Sequence, residues 1–429
     1  MSISEDEPEY TIVSPFPLIS SQCKSSKKSL CFHLPNKVCF IRWIDSSHLL
    51  VCIEKPQSNE HEIITNQTQQ SENNNLNNFN NFNNTNHYSP IQESTHLLFY
   101  YRFDPPKLLS IYDLDESIRD IAVIPSLHSQ QNKQNESELN QQKDQKEQKE
   151  MKQEIKKIAV ITQTSLIIFS LLEIECIITP RTEVLELPDS PTCICPHPTQ
   201  PLMLIGCIDG KILIINNKLQ IVSALKTHNA PLTKIICSAE VPHVFICSAR
   251  GPSLLKVYSF LTNQMISSLA LHIFMTDMTW NGFSDSFIIV CDSFGHISVI
   301  DKKSIQCKSK KQATFQRSKL HKSGCNAVDV IKNVVFTAGD DGCCIAFEKN
   351  HFHLKRKKDT KMMKVLVKVV KNEEGIYEII EDCELDGNTE GYELNDDNMR
   401  IVDVKTNVEK KIVAVAIRKG TIVLKRFYD

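Results

Sequence analysis

Glycine and tryptophan are scarce in this chain, at 12 and 2 of 429 residues. Neither a G-x-x-x-x-G-K-[ST] run nor a G-x-G-x-x-G run occurs, so no glycine-rich cradle for phosphate is encoded. A G-x-S-x-G nucleophile elbow is missing too: GFSDS at 282–286 and GPSLL at 251–255 both lack the closing glycine. No stretch of about 18 uncharged apolar residues exists, which predicts no membrane span. The opening MSISEDEPEY is acidic and has no apolar stretch, so no signal peptide is expected. Neither sign of charge dominates. Lys and Arg number 49 against 51 Asp and Glu, a net −2 that sets up no global field toward nucleic acid or an acidic membrane.

Cysteine, by contrast, is plentiful at 16. Many lie inside apolar runs (Cys39, Cys52, Cys207, Cys237, Cys247, Cys291), where the side chain acts as a small hydrophobe. This predicts free thiols in a reducing, intracellular setting, cytoplasmic or nuclear. With 41% hydrophobic residues the chain can bury one large core or two medium ones.

The organising stretch is LHKSGCNAVDVIKNVVFTAGDDGCCIAF at 320–347, which reads as strand, turn, strand, Asp-Asp-Gly turn, strand. The same order recurs in LMLIGCIDGKILII, HVFICSARGPSLLKVYSF, FIIVCDSFGHISVI and IVAVAIRKGTIVLKRF. Each is an apolar strand, a few turn residues ending in glycine, then an alternating strand. Glycine supplies positive φ in such hairpins without steric cost. Gly210, Gly251, Gly295 and Gly342 follow one another at 41, 44 and 47 residues, and Gly420 follows after 78. Four-stranded propeller blades repeat at about 40–45 residues.

Three polar stretches interrupt this rhythm. The first, 54–95, contains NNNLNNFNNFNNTN and reads as disordered, having too few aliphatic residues to offset its ordering entropy. The second, 126–156, is rich in Gln, Lys and Glu and reads as a solvated, partly helical loop. The third, 371–397, is strongly acidic and follows a basic run that includes Lys355, Arg356, Lys357 and Lys358.

The pre-blade turns THNAPLTKI (227–235) and LHKSGCNAV (320–328), with His228 and His321, and the turns Asp209-Gly210 and Asp341-Gly342 make the chain resemble the WD-repeat β-propeller family over about 30–429. The resemblance implies an all-β ring of seven four-stranded antiparallel blades: 38–114, 117–180, 191–226, 231–270, 275–308, 320–370 and a C-terminal blade from 399. That last blade supplies three strands, and the N-terminal segment 10–19, YTIVSPFPLI, is expected to close the ring as its fourth; residues 1–9 read as a frayed tail, and 10–429 as one domain. No Trp-Asp dipeptide ends any third strand, so the family's His-to-Asp network is expected to be complete in few blades. His228, Asp209, Gly210, Gly251, Gly295, His321, Asp341, Gly342 and Gly420 are then structural turn residues.

No catalytic constellation and no cofactor site is read from the residues. Cys193-Ile194-Cys195-Pro196-His197 comes nearest to a metal site, but zinc needs four ligands and these cysteines read as core packing. The inner strands TCICPHP, LTKIICS, MTDMTWN and CNAVDVI read as small or modest side chains crowded around a packed axis. The expected function is therefore a non-catalytic protein–protein scaffold within a hetero-complex, itself a monomeric propeller, with the loop rims as binding surfaces. The alternative is an accessory RNA-binding subunit, motivated by Lys355–Lys358 and by Lys308, Lys310 and Lys311. A propeller enzyme is the third reading.

Overall fold

The computed structural model describes residues 29–34, 36–55, 96–103, 106–114, 116–125, 156–171, 178–281, 287–301, 315–348, 363–371, 377–384 and 396–427. They build seven antiparallel blades, with strands a to d running from the axis outward. The inner a strands are Val38–Trp43, Asp120–Ile124, Pro191–Pro196, Leu232–Cys237, the 275–281 part of Met265–Asn281, Cys325–Ile331 and Ile401–Asn407. Each packs beside the a strand of the next blade, and the last packs beside the first, so the ring is closed. Met265–Asn281 is outer strand d of blade four up to residue 274 and inner strand a of blade five thereafter, so these blades are joined without a loop.

The b strands show why the sequence carries long apolar runs. VFICSA, FIIVCD and IVAVAI are buried at every residue. In IVAVAI, Ile412, Ala414 and Ala416 pack toward blade one, while Val413, Val415 and Ile417 pack toward blade six. Alternation here separates two apolar layers rather than core from water. Seven such layers fill the seven seams between blades.

The five glycines at the b–c hairpin are the described glycines with positive φ, from 70° at Gly342 to 105° at Gly251. At Gly295 the turn also lies against the connection that leads from blade five into blade six. A Cβ there would collide with the carbonyl oxygens of His321 and Ser323, whereas one at Gly251 would meet nothing within 4 Å.

Outer strands are where the sequence reading departs from the fold. Ring closure uses Ser29–His33, which pairs with Thr421–Arg426 in register Ser29↔Lys425 through His33↔Thr421. The expected closing segment 10–19 lies outside the described residues, and SLCFH takes the edge because Cys31 and Phe32 each face a different apolar layer. Blade two ends on Ile178–Glu186, beyond the expected 180, and blade five on Phe315–Lys319, beyond 308. Residues 183–186 and 316–319 of these strands are exposed or half-buried, and the comparable Ile221–Lys226 of blade three alternates between the two, so little apolar period marks them. The acidic stretch 371–397 is partly a strand: Tyr377–Glu384 pairs with Lys364–Lys371 as a fifth strand of blade six. Buried Lys425 of blade seven holds it, with Nζ 3.3 Å from Glu381 and 2.8 Å from Asp382.

Strands 48–54 and 96–103 flank the Asn-rich stretch and are b and c of blade one; the stretch itself lies outside the described residues, as does 126–155. The described cysteines are free thiols. Among the described residues no helix is long and apolar enough to cross a membrane.

Gly295→Ala is expected to lower the unfolding free energy by about 2 kcal/mol or more, because positive φ and a backbone collision add. Gly251→Ala carries only the dihedral cost, about 1 kcal/mol. Urea unfolding of the two variants side by side measures the difference; equal losses would contradict the turn geometry.

Candidate functional site

Strand a enters the ring from the face where d hands over to a and b turns into c, here called the entry face. Near that entry, six of the seven a strands carry a β-bulge at one position, between Val38/Phe40, Pro191/Cys193, Leu232/Lys234, Met275/Asp277, Cys325/Ala327 and Ile401/Asp403. A bulge places two residues opposite one and re-aims their side chains. Bulge residues of these strands (Phe40 but not Cys39 in blade one), with Arg42 and Lys405 two positions further on, line an axial cavity of about 310 Å³.

That cavity is charged, which corrects the expectation of a packed axis crowded by small or modest side chains. Arg42 spans three blades: its guanidinium is 2.8 Å from Asp120 on blade two and 2.8 Å from Asp403 on blade seven, and Nε donates to the Ile121 carbonyl at 3.1 Å. Lys234 of blade four sits 3.0 Å from Asp277 of blade five. Lys405 reaches Asp403 at 3.2 Å and Asp277 at 3.9 Å. With Arg119, which lines the same cavity, four cations and three carboxylates therefore face one axial space.

The carboxylates also bind the backbone across the seams. The Ile194 N–H donates to Asp120 at 3.2 Å, Val328 N–H to Asp277 at 3.2 Å, and Ile41 N–H to Asp403 at 3.0 Å. Deeper in, Asp329 accepts from the Thr406 N–H at 2.8 Å and its hydroxyl at 2.9 Å. In each case an inner-strand aspartate ties itself to the inner strand of the following blade.

Burial would raise the Asp277 carboxyl, but Lys234 and Lys405 outweigh it and hold it below the usual carboxylate range. Burial likewise opposes the charges on Arg42 and Lys234; the facing carboxylates reverse this and raise both. Asp329 goes the other way, because burial exceeds what Lys405 and the Thr406 donors return. The signal was present in the sequence: LTKII and MTDMT place one charge, and RDIAV and IVDVK two, among apolar residues near the start of an inner strand.

The turn residues assemble one complete network. His321 Nδ1 donates to Asp341 at 2.9 Å, and Nε2 lies 2.9 Å from the Thr337 hydroxyl. Asp341 also accepts from the Lys322 and Cys343 N–H groups, and His321 with these donors outweighs burial to keep its carboxyl low. His228 finds no aspartate in its blade's turn; it contacts the Leu254 carbonyl and Thr227 instead. Asp209 binds the Lys211 N–H and ammonium and stays with its own exposed turn. Gly210, Gly251, Gly295, Gly342 and Gly420 sit at the same hairpin of five blades.

In the Cys-x-Cys-x-His stretch, Cys193 and Cys195 pack into the seam between blades three and four. His197 is spent on backbone, with Nε2 donating to Pro242 at 2.6 Å and Nδ1 accepting from Thr199 and Gln200. The residues Lys355, Arg356, Lys357 and Lys358, and Lys308, Lys310 and Lys311, lie outside the described residues; each group separates a c strand from a d strand, in blades six and five.

Two features were missed from sequence altogether. Phe274 and Phe294 meet edge to face at 5.9 Å on the entry face, and are 51% and 53% exposed. Cys39, Cys52 and His96 gather in blade one, their ligand atoms within 4.8 Å of one another. No protein-family model matches the chain, and no curated protein matches it.

Asp403→Ala leaves the Ile41 N–H without its acceptor and removes one of the two carboxylates on Arg42. A loss of about 3–5 kcal/mol is expected in urea unfolding. The pH dependence follows by sign. Asp277, depressed in the fold, contributes stability above its unfolded value of about 3.9 that is lost as pH falls through the folded value. Lys234, raised in the fold, contributes below its unfolded value of about 10.4 and loses it as pH rises further. The contribution of this pair should hold between these limits and fall outside them; Asp277→Asn should flatten the acid side, and an unchanged acid profile would contradict the assignment.

Proposed function

We propose that the protein is a non-catalytic protein–protein scaffold of the WD-repeat kind, one subunit of a multi-protein assembly, and that it binds through the entry face. The observation carrying this is the Phe274–Phe294 pair. Two adjacent aromatic rings, each about half in water, lie between blades four and five, while most of the other described large apolar residues are buried. Exposed aromatics are the residue type that anchors protein interfaces, whereas scattered aliphatic exposure is ordinary surface. Ile208, 54% exposed in the b–c hairpin of blade three, lies on the same face. The backbone supports the assignment of a display surface. The Ser293 N–H donates to the Phe274 carbonyl at 3.0 Å, so the turn that carries Phe294 is tied to the continuous strand that carries Phe274.

The axial groups favour the same reading. Arg42, Asp120, Lys234, Asp277, Asp403 and Lys405 are engaged with one another and with seam amides, an arrangement suited to holding blades together. The His321–Asp341–Thr337 network supports the WD-repeat kinship within blade six.

Affinity purification of the full chain and of a Phe274→Ser/Phe294→Ser variant, read by quantitative mass spectrometry, tests the proposal. A discrete set of proteins is expected with the unaltered chain. It should be depleted roughly 30-fold with the variant, the loss of a central aromatic anchor, while the unfolding midpoint stays within a degree or two. An unchanged set would move the interface elsewhere. Recovery of RNA in place of proteins, falling steeply with salt, would instead favour the accessory RNA-binding role.

A further inference from the structure

Blade one uses its bulge differently from the others. At the equivalent position blades three and five carry Thr192 and Thr276; Thr192 donates to the Gly206 carbonyl on strand b at 3.1 Å, and Thr276 lies 3.2 Å from Cys291 of strand b. The bulged residue thus lies against strand b. In blade one it is Cys39, and the strand b residue paired beside it, opposite Phe40, is Cys52. Cys52 is buried at 1% exposure and Cys39 is half-buried. His96, at the start of strand c, completes the group.

The histidine's bonding decides what the group is for. His96 Nδ1 accepts the Ile118 N–H at 3.0 Å. A neutral imidazole that accepts at Nδ1 carries its proton on Nε2. A metal-ligating histidine does the reverse, donating from the nitrogen that does not bind the metal. His96 is therefore set up as a hydrogen-bond donor, and the chemistry left to the cluster is that of a thiolate beside a second thiol.

We propose that Cys39 is a peroxide-reactive thiol and Cys52 its resolving partner, so that blade one carries a reversible redox-modification site. The Cys39 thiolate attacks one peroxide oxygen; the O–O bond breaks, sulfenic acid forms and hydroxide leaves. The Cys52 sulfur then attacks the Cys39 sulfur, the S–S bond forms, the S–OH bond breaks, and water departs with the Cys52 proton. Two thiols and one hydrogen peroxide give one disulfide and two waters. The oxidised pair links strands a and b of blade one, neighbours whose backbones lie within disulfide reach.

Electrostatics agree with the direction of attack. Contact with Cys52, then His96, brings the Cys39 thiol down to about 6 against the effect of burial, while burial and Cys39 push Cys52 well up. Two other thiol pairs serve as internal comparisons. Cys237 is pushed up by Cys195 and by burial, and Cys325 by burial and by Cys291.

The test is residue-resolved alkylation of the full folded chain by iodoacetamide across pH, read by mass spectrometry, followed by hydrogen peroxide titration. At pH 7 Cys39 should alkylate about fivefold faster than the similarly exposed Cys195 or Cys343. Its thiolate fraction is far higher, but its lower intrinsic nucleophilicity returns most of that gain. Its rate should rise through a midpoint near 6, and His96→Gln should move that midpoint up. Peroxide should produce a Cys39–Cys52 cross-link that dithiothreitol reverses. In Cys52→Ser the reaction should stop at a sulfenic acid on Cys39 trapped by dimedone. An alkylation midpoint near 8.5–9 for Cys39, a cross-link at another pair first, or thiols protected until a chelator strips a bound metal would each overturn the proposal.

Discussion

The hydrogen bond from an inner-strand aspartate to the first strand of the next blade is the constraint on which this ring depends. A propeller blade has little backbone bonding to its neighbours, since sheet hydrogen bonds run within a blade and the seams are filled by side chains. Apolar packing between sheets is tolerant of sliding. Asp120, Asp277, Asp329 and Asp403 remove that freedom, because each fixes a backbone N–H at about 3 Å on the neighbouring strand. Burying so many carboxylates would be costly alone; Arg42, Lys234 and Lys405 stand in the same cavity and supply the opposite charge. In blades five and seven a bulge comes immediately before the aspartate, between Met275/Asp277 and Ile401/Asp403.

Much of the architecture was legible because hairpin chemistry is local. The five glycines at 210, 251, 295, 342 and 420 name their turns, and their spacing counts blades. Strands b and c were equally readable, since a strand covered on both faces must be apolar throughout. Outer strands were not. Residues such as those of FQRSK at 315–319 face a neighbour on one side only, and their pairing is set by the strand already in place rather than by their own pattern. Ser29–His33 was overlooked for the same reason, and the more apolar 10–19 drew attention instead.

The axial site was hidden by a different effect. A single Asp or Lys inside an apolar strand looks like tolerated noise, and only the closed ring shows that charges from blades one, two, four, five and seven converge. Phe274 and Phe294 are 20 residues apart in sequence, and nothing in either segment announces that the other lies 5.9 Å away. The Cys39–Cys52–His96 group joins three strands across the long stretch 55–95, a separation that no spacing rule for metal or thiol motifs spans.

Closure of the ring by Ser29–His33 against Thr421–Arg426 also sets a clock. At about 5–20 residues per second, roughly 20–80 s separate synthesis of Leu30 from that of its partner Leu424. Late in that interval, before residues 401–427 are in place, six blades stand complete or nearly so, with the inner strand of blade one and its Ile41 amide still without Asp403. Arg42 waits half-neutralised, and the apolar layer that will pack against Ile412, Ala414 and Ala416 stays open to water. Residues 401–427 therefore complete a cavity, a seam and a hydrogen-bond register in one event. A nascent chain stalled before residue 401 would present the apolar edge that chaperones recognise.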